Sequence, residues 1–90
     1  MIINIIGTAK IDRDILPCNG TIEVLSKSER VAYATWKILD SSNHLLASVS
    51  RNYFIGDKKY SDQDILTKIT EDILSYRVGR NRIFTDIKIQ

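Results

Sequence analysis

The chain has 90 residues, a net charge of +2 and a single cysteine. This length predicts one domain spanning residues 1–90, and one cysteine excludes an internal disulfide. A charge this small does not by itself indicate a polyanionic partner. No apolar run reaches the roughly 20 residues that a membrane span needs. We therefore expect no membrane partner and a cytoplasmic location.

Apolar residues that alternate with a period of two predict five strands. In chain order these strands span residues 2–12, 21–25, 30–39, 44–55 and 83–89. Fifteen isoleucines support this interpretation, because a β-branched side chain fits a pleated sheet better than a helix. Pro17, Asn19 and Gly20 indicate a loop between the first two strands. A polar turn over residues 40–43 predicts a hairpin between the third and fourth strands.

One amphipathic helix is predicted over residues 61–78, in the C-terminal half of the chain. Ser61 is placed to cap its N-terminus, with Asp64 three residues later as in a capping box. Gly79 is placed just past its C-terminus. The apolar stripe of this helix consists of Ile65, Leu66, Ile69, Ile73 and Tyr76. The fold class is therefore α+β, with an antiparallel sheet or a small sandwich of about five strands.

The apolar residues of the strands are more numerous than one helix can cover. The third strand is expected to bury Ala32, Ala34, Trp36 and Ile38. The fourth is expected to present Leu45, Ala47, Val49, Tyr53 and Ile55 on one face, interrupted by Arg51. The fifth is expected to place Ile83, Thr85, Ile87 and Ile89 on one face. Apolar residues on more than one face are Ile2, Ile6, Trp36, Ile38, Phe54 and Phe84. This excess predicts either a sandwich or a second sheet face covered by a partner.

The sequence contains no pattern that is typical of a catalytic, cofactor or metal site. Cys18 and His44 each occur once, and we expect a loop thiol and an exposed histidine beside a turn. Asp12 and Asp14 share a spacing of two, which fits a solvated strand end. The four glycines are isolated and form no phosphate-binding loop. We therefore expect a protein that is not an enzyme.

The strongest charge feature of the chain is a group of three arginines within six residues, with no acidic residue between them: Arg77, Arg80 and Arg82. Lys58 and Lys59 could join them. If they formed one basic edge, they could contact the phosphates of a nucleic acid. The alternative is structural, because Arg77 and Arg80 would complement the negative end of the helix dipole. The structural alternative is the one that we favour.

The segment of residues 34–40, the polar turn, residues 45–48 and the capped helix after Tyr60 resemble a known class of protein. This class comprises small accessory and structural proteins of tailed phages that infect low-GC Gram-positive hosts. The resemblance covers residues 21–78, and it implies a role in the virion or in its assembly. It assigns no functional residue.

The leading functional hypothesis is a non-enzymatic module that binds a protein partner or a second copy of itself through a surface. It rests on the missing site motifs and on the excess of apolar surface. The alternative hypothesis is a small nucleic-acid-binding protein that uses the five basic residues. We expect no cofactor for either function, and a location in the host cytoplasm or the virion.

Overall fold

A computed structural model of the chain describes residues 1–56 and 59–90. Its elements are β1 (Ile2–Ile11), β2 (Asp14–Lys27), β3 (Val31–Asp40), β4 (Leu45–Phe54), α1 (Asp62–Ser75), β5 (Arg77–Val78), β6 (Asn81–Arg82) and β7 (Phe84–Ile89). Five strands form one antiparallel sheet in the order β4-β3-β2-β1-β7, and β5 and β6 form a separate two-stranded ribbon. The predicted α+β class is therefore confirmed, as one sheet with one helix rather than as a sandwich.

The core lies between one face of the sheet and α1. The predicted buried face of β3 is confirmed, because Ala32, Ala34, Trp36 and Ile38 are fully buried. From the helix, the buried side chains are Ile65, Leu66, Ile69 and Ile73. Their spacing of three and four places them on one side of the helix, which packs against the sheet. Ile5, Ile22 and Phe84 complete the centre of the core.

The opposite face of the sheet, which we call the open face, is not covered by any element of the described chain. Trp36, Ile38 and Phe84 lie on the helix side, whereas Ile2, Ile6 and Phe54 are exposed. Polar residues occupy much of the open face between these apolar side chains. Those of the three central strands are Asn4, Thr8, Asn19, Thr21, Glu23, Thr35 and Lys37. The apolar residues that the helix does not cover are thus exposed side chains, on a face that also carries polar residues.

The predicted loop at Pro17 is wrong, because β2 runs through it and the chain turns instead at Asp12 and Arg13. The Pro17 carbonyl accepts a hydrogen bond from Ser41 Oγ at 3.4 Å, which places it on the β3 side of the strand. The proline nitrogen points to that same side. Pairing with β3 begins only at Cys18, so the missing N–H costs no hydrogen bond of the ladder.

Bulges explain why two predicted strand faces are wrong. Between β1 and β7, Thr8 pairs with Asp86 and Ala9 pairs with Phe84, so one residue of β7 is extra. This shift places both Phe84 and Ile87 in the core, although strict alternation separates them. A second shift between β3 and β4 leaves Leu45 59% exposed, although it was expected to share a face with Ala47 and Tyr53, which are buried.

The predicted N-terminus of the helix is confirmed. Ser61 is the N-cap, and its side chain and that of Asp64 satisfy each other's backbone N–H groups as a capping box. Tyr60 fixes the approach to the helix, because its hydroxyl donates to the Ser28 carbonyl at 2.5 Å. The start of the helix is therefore held by hydrogen bonds within its own capping box and by one hydrogen bond to the turn between β2 and β3.

The predicted C-terminus of the helix is wrong, because α1 ends at Ser75 rather than at residue 78. Tyr76 leaves the helix in an extended conformation, and its ring packs edge-on against Trp36 with the centroids 5.5 Å apart. Gly79 has a φ of +63° and lies in the two-residue loop of the β5–β6 ribbon. A glycine with positive φ at the first loop position is typical of a type II′ hairpin.

Candidate functional site

Four side chains form a polar network between α1 and the sheet. Asp72 Oδ2 accepts a hydrogen bond from the Tyr53 hydroxyl at 2.7 Å and another from Trp36 Nε1 at 3.2 Å. Trp36 Nε1 also lies 3.0 Å from the Tyr53 hydroxyl oxygen. On the outer side, Arg51 Nε lies 3.4 Å from the same carboxylate oxygen. Among the described residues, no buried side-chain nitrogen or oxygen lacks a hydrogen-bond partner, and those of this network are no exception.

The hydrogen bonds of this network link the helix to the sheet. Burial raises the pKa of the Tyr53 phenol, and the bond to Asp72 raises it further, so the hydroxyl stays protonated and acts as a donor. Trp36 is fully buried, and the Asp72 carboxylate is engaged as the acceptor for both Trp36 and Tyr53. The network satisfies the buried polar groups of two aromatic residues and joins the helix to β3 and β4.

Removing the acceptor of this network is expected to destabilise the fold. Asp72→Ala should lower the free energy of unfolding by about 1–3 kcal/mol, because the buried Tyr53 hydroxyl loses its acceptor. Urea denaturation provides the measurement. The control is Glu71→Ala, which removes an exposed carboxylate at the adjacent position. Equal losses in the two variants would contradict the structural role of the network.

Cys18 and His44 lie in different environments of the described structure. The expectation of a loop thiol was wrong, because Cys18 is 4% exposed within β2, where burial raises the pKa of its thiol. His44 is exposed beside the turn as expected, with Nδ1 3.4 Å from Asp40 Oδ2. Among the described residues, no three side chains of the metal-binding types lie close enough to hold an ion.

The predicted basic residues do not form one edge in the described structure. Lys58 lies outside the described residues. Lys59 precedes α1, whereas Arg77, Arg80 and Arg82 follow it. A helix of 14 residues separates the two groups by about 21 Å along its axis. The arginines also lie beyond the last turn of the helix, which contains no basic residue, so the expected role in the dipole is wrong.

Two of the arginines instead lie near residues from the N-terminal part of the sequence. Lys10 and Asp12, near the turn between β1 and β2, face Arg80, Asn81 and Arg82 across a cavity of about 320 Å³. We call this cavity the cationic cleft. Arg77 lies beside it, because Arg77 is paired directly with Arg82 in the ribbon. The sequence signal for the arginines was their density, but Lys10 and Asp12 are brought there only by the fold.

Within the described part of the chain, the outer side of β4 presents a row of backbone groups that pair with no other strand. Ile55 N donates to the Arg30 carbonyl at 2.8 Å. The backbone N–H and C=O groups of Ile55, and of every second residue before it, therefore point toward β3. The backbone groups of the intervening residues therefore face outward. These residues are Ser48, Ser50, Asn52 and Phe54, and all four side chains are exposed. We call this row the outer edge of β4.

The two edges of the sheet are protected to different degrees. β7 is six residues long, contains the charged residues Asp86 and Lys88, and is interrupted by a bulge. These features are the usual defences of an edge strand against pairing with another chain. β4 has ten residues without proline or lysine, and its only charge, Arg51, is directed to Asp72 on the helix side. The outer edge of β4 is thus the less protected edge.

Comparison with known proteins identifies no relative of this chain. No protein-family model, no curated protein and no solved structure matches it. Within residues 1–56 and 59–90, no helix has the length and apolarity of a membrane-spanning segment. The outer edge of β4 and the cationic cleft are the two features of the described structure that bear on its function.

Proposed function

We propose that this chain is a non-enzymatic protein–protein interaction module that assembles with a second copy through the outer edge of β4. The observation that carries the proposal is the row of outward backbone donors and acceptors at Ser48, Ser50 and Asn52. Addition of a strand to such an edge is a common mode of protein recognition. The exposed side chains of these residues leave the approach to the backbone open.

The sequence of β4 is compatible with antiparallel pairing to itself. If Ser50 lies opposite Ser50 of the second copy, Ser48 lies opposite Asn52, and polar side chains meet on the open face. On the helix side Val49 then lies opposite Arg51, so no like charges are directly opposed. Cross-strand pairs of this kind stabilise a sheet, whereas opposed like charges destabilise it. This register joins two sheets into one of ten strands, with both helices on the same side.

A polar cross-strand pair of the same kind already exists on the open face within one copy of the chain. Thr35 and Ser50, on neighbouring strands β3 and β4, are joined by a hydrogen bond between their hydroxyls. Pairing of Ser50 with its symmetry mate extends this row of hydroxyls across the interface. A role as a subunit that assembles with itself also fits the resemblance to accessory and structural proteins of tailed phages. In that role the protein would be located in the host cytoplasm or the virion.

Disulfide trapping tests the register. In a hydrogen-bonded antiparallel pair the Cα atoms lie about 5.5 Å apart, within the range that a disulfide spans. Ser50→Cys is therefore expected to form a covalent dimer under mild oxidation, read on a non-reducing gel. Ser48→Cys is the matched control, because two copies of residue 48 lie about 14 Å apart along the strands. Native Cys18 is buried and should not compete.

Sedimentation across protein concentration tests the assembly independently of the register. The wild type should change from monomer to dimer as its concentration rises. Ser50→Pro should weaken the dimer, because it removes an outward N–H without touching the bonds to β3. A wild-type protein that stays monomeric at millimolar concentration, or equal trapping of both cysteine variants, would contradict the proposal.

A further inference from the structure

The β5–β6 ribbon violates a local rule of sheet pairing. Arg77 and Arg82 are directly opposite each other in a ribbon of only two residue pairs. Like charges in this position destabilise a hairpin. Among the described residues, neither arginine forms an ion pair or a side-chain hydrogen bond, and both are exposed. An anion that binds between such cations removes the repulsion that the fold leaves in place.

The cationic cleft has a fixed backbone on both of its walls. The N–H of Lys10 donates to the Ile83 carbonyl at 2.7 Å, which ties the chain just after the ribbon to β1. The side chain of Ile83 packs against the core. The type II′ loop at Gly79 then sets the position of Arg80. The cations thus project from a backbone that is held in place before any ligand arrives.

We propose that the cationic cleft binds a phosphate group. Arg80 and Arg82 would supply planar guanidinium groups, which can donate two parallel hydrogen bonds to phosphate oxygens. Lys10 would add a point charge, and the side-chain amide of Asn81 a neutral donor. Asp12 is the one carboxylate of the cleft, and its charge opposes the ligand. The proposal uses no residue of the outer edge of β4, so it does not depend on assembly.

Phosphate groups occur both as free ions and along a nucleic-acid backbone, and the two sources can be distinguished. Backbone amide shifts should be followed by NMR during titration with inorganic phosphate and, separately, with a single-stranded oligothymidylate. In both cases the shifts should centre on Gly79, Arg80 and Asn81. If the oligonucleotide is the ligand, it should bind far more tightly than inorganic phosphate, with a log–log salt slope of about −0.7 for each phosphate contacted.

Substitutions in the cleft should change the affinity in opposite directions. Arg80→Gln with Arg82→Gln should weaken binding by about tenfold or more, because charge-assisted hydrogen bonds are lost. Asp12→Asn should tighten binding several-fold, because it removes the opposing charge. Asparagine tolerates the positive φ of 57° at this position, so the turn should be retained. Lys59→Gln removes a charge at the other end of the helix and should leave the affinity nearly unchanged.

Three results would overturn the proposal. The first is the absence of shifts in the ribbon at millimolar inorganic phosphate and at millimolar oligonucleotide. The second is weaker binding by Asp12→Asn, which would indicate a ligand of the opposite charge. The third is an equal effect of Lys59→Gln and the double arginine variant, which would indicate attraction to net charge rather than to the cleft. Shifts at the ribbon with the expected order of affinities would support it.

Discussion

Replacement of Ile69 by alanine is expected to lower the free energy of unfolding by about 2–5 kcal/mol. Ile69 is fully buried in the middle of the helix face, between Leu66 and Ile73 in the core. The variant loses the transfer free energy of the deleted methyl and methylene groups and leaves a cavity under the helix. An isolated helix of this length is marginal in water, so α1 depends on this packing. Urea denaturation gives the measurement.

Two further variants of the helix are expected to lose less stability than Ile69→Ala. Lys68 is adjacent in sequence but exposed, so Lys68→Ala should change the stability by less than about 0.5 kcal/mol. Ser61→Ala should cost about 1 kcal/mol through loss of the N-cap. The expected order of destabilisation is Ile69, then Ser61, then Lys68. If Lys68→Ala proved as costly as Ile69→Ala, the docking of α1 through this face would be refuted.

Elements with a strong local signal could be predicted from the sequence. The capping residues Ser61 and Asp64 act within four residues of each other, and the helix begins where they indicate. The alternation through β3 is equally local, because a strand that is buried on one face must repeat every two residues. Trp36 was accordingly assigned to the core, where it is fully buried.

Features that depend on distant contacts could not be predicted in this way. A bulge adds one residue and exchanges the two faces of the strand beyond it, which is why Leu45 and Phe84 lie on unexpected sides. The helix stops at Ser75, whereas the apolar stripe was expected to continue to Tyr76; Tyr76 is extended instead, and its ring packs against Trp36 of β3. Pro17 would interrupt the strand only where the sheet requires an N–H donor at that position, and pairing with β3 begins only at Cys18.

For the candidate sites too, local features could be predicted from the sequence and features that depend on distant contacts could not. The density of the arginines is visible in the sequence, whereas their separation from Lys59 and their approach to Lys10 depend on where α1 ends. The outer edge of β4 depends on the strand order, which local periodicity does not determine. Arg51 was noted only as a break in an apolar face. Its partner Asp72 lies between Ile69 and Ile73 on the helix, so opposite charges on two packing faces were the signal of the network.

Replacement of Trp36 by alanine is expected to lower the free energy of unfolding by about 3–5 kcal/mol. Trp36 is fully buried, and its ring meets Tyr76 and Phe84 edge-on with centroids 5.5 and 6.2 Å away. Its indole N–H is also bonded to Tyr53 and Asp72. The variant therefore loses a large apolar surface, two aromatic contacts and a donor of the polar network.

Lys37→Ala is the matched control, because Lys37 is the next residue of β3 and is exposed on the open face. It should change the stability by less than about 0.5 kcal/mol. Trp36→Phe separates the two contributions of the indole, since it keeps an aromatic ring in the core but removes the N–H donor. It should fall between the other two variants. If Lys37→Ala destabilised the protein as much as Trp36→Ala, the open face would be a packing surface of the folded chain, and the one-layer sheet with a single helix would be the wrong architecture.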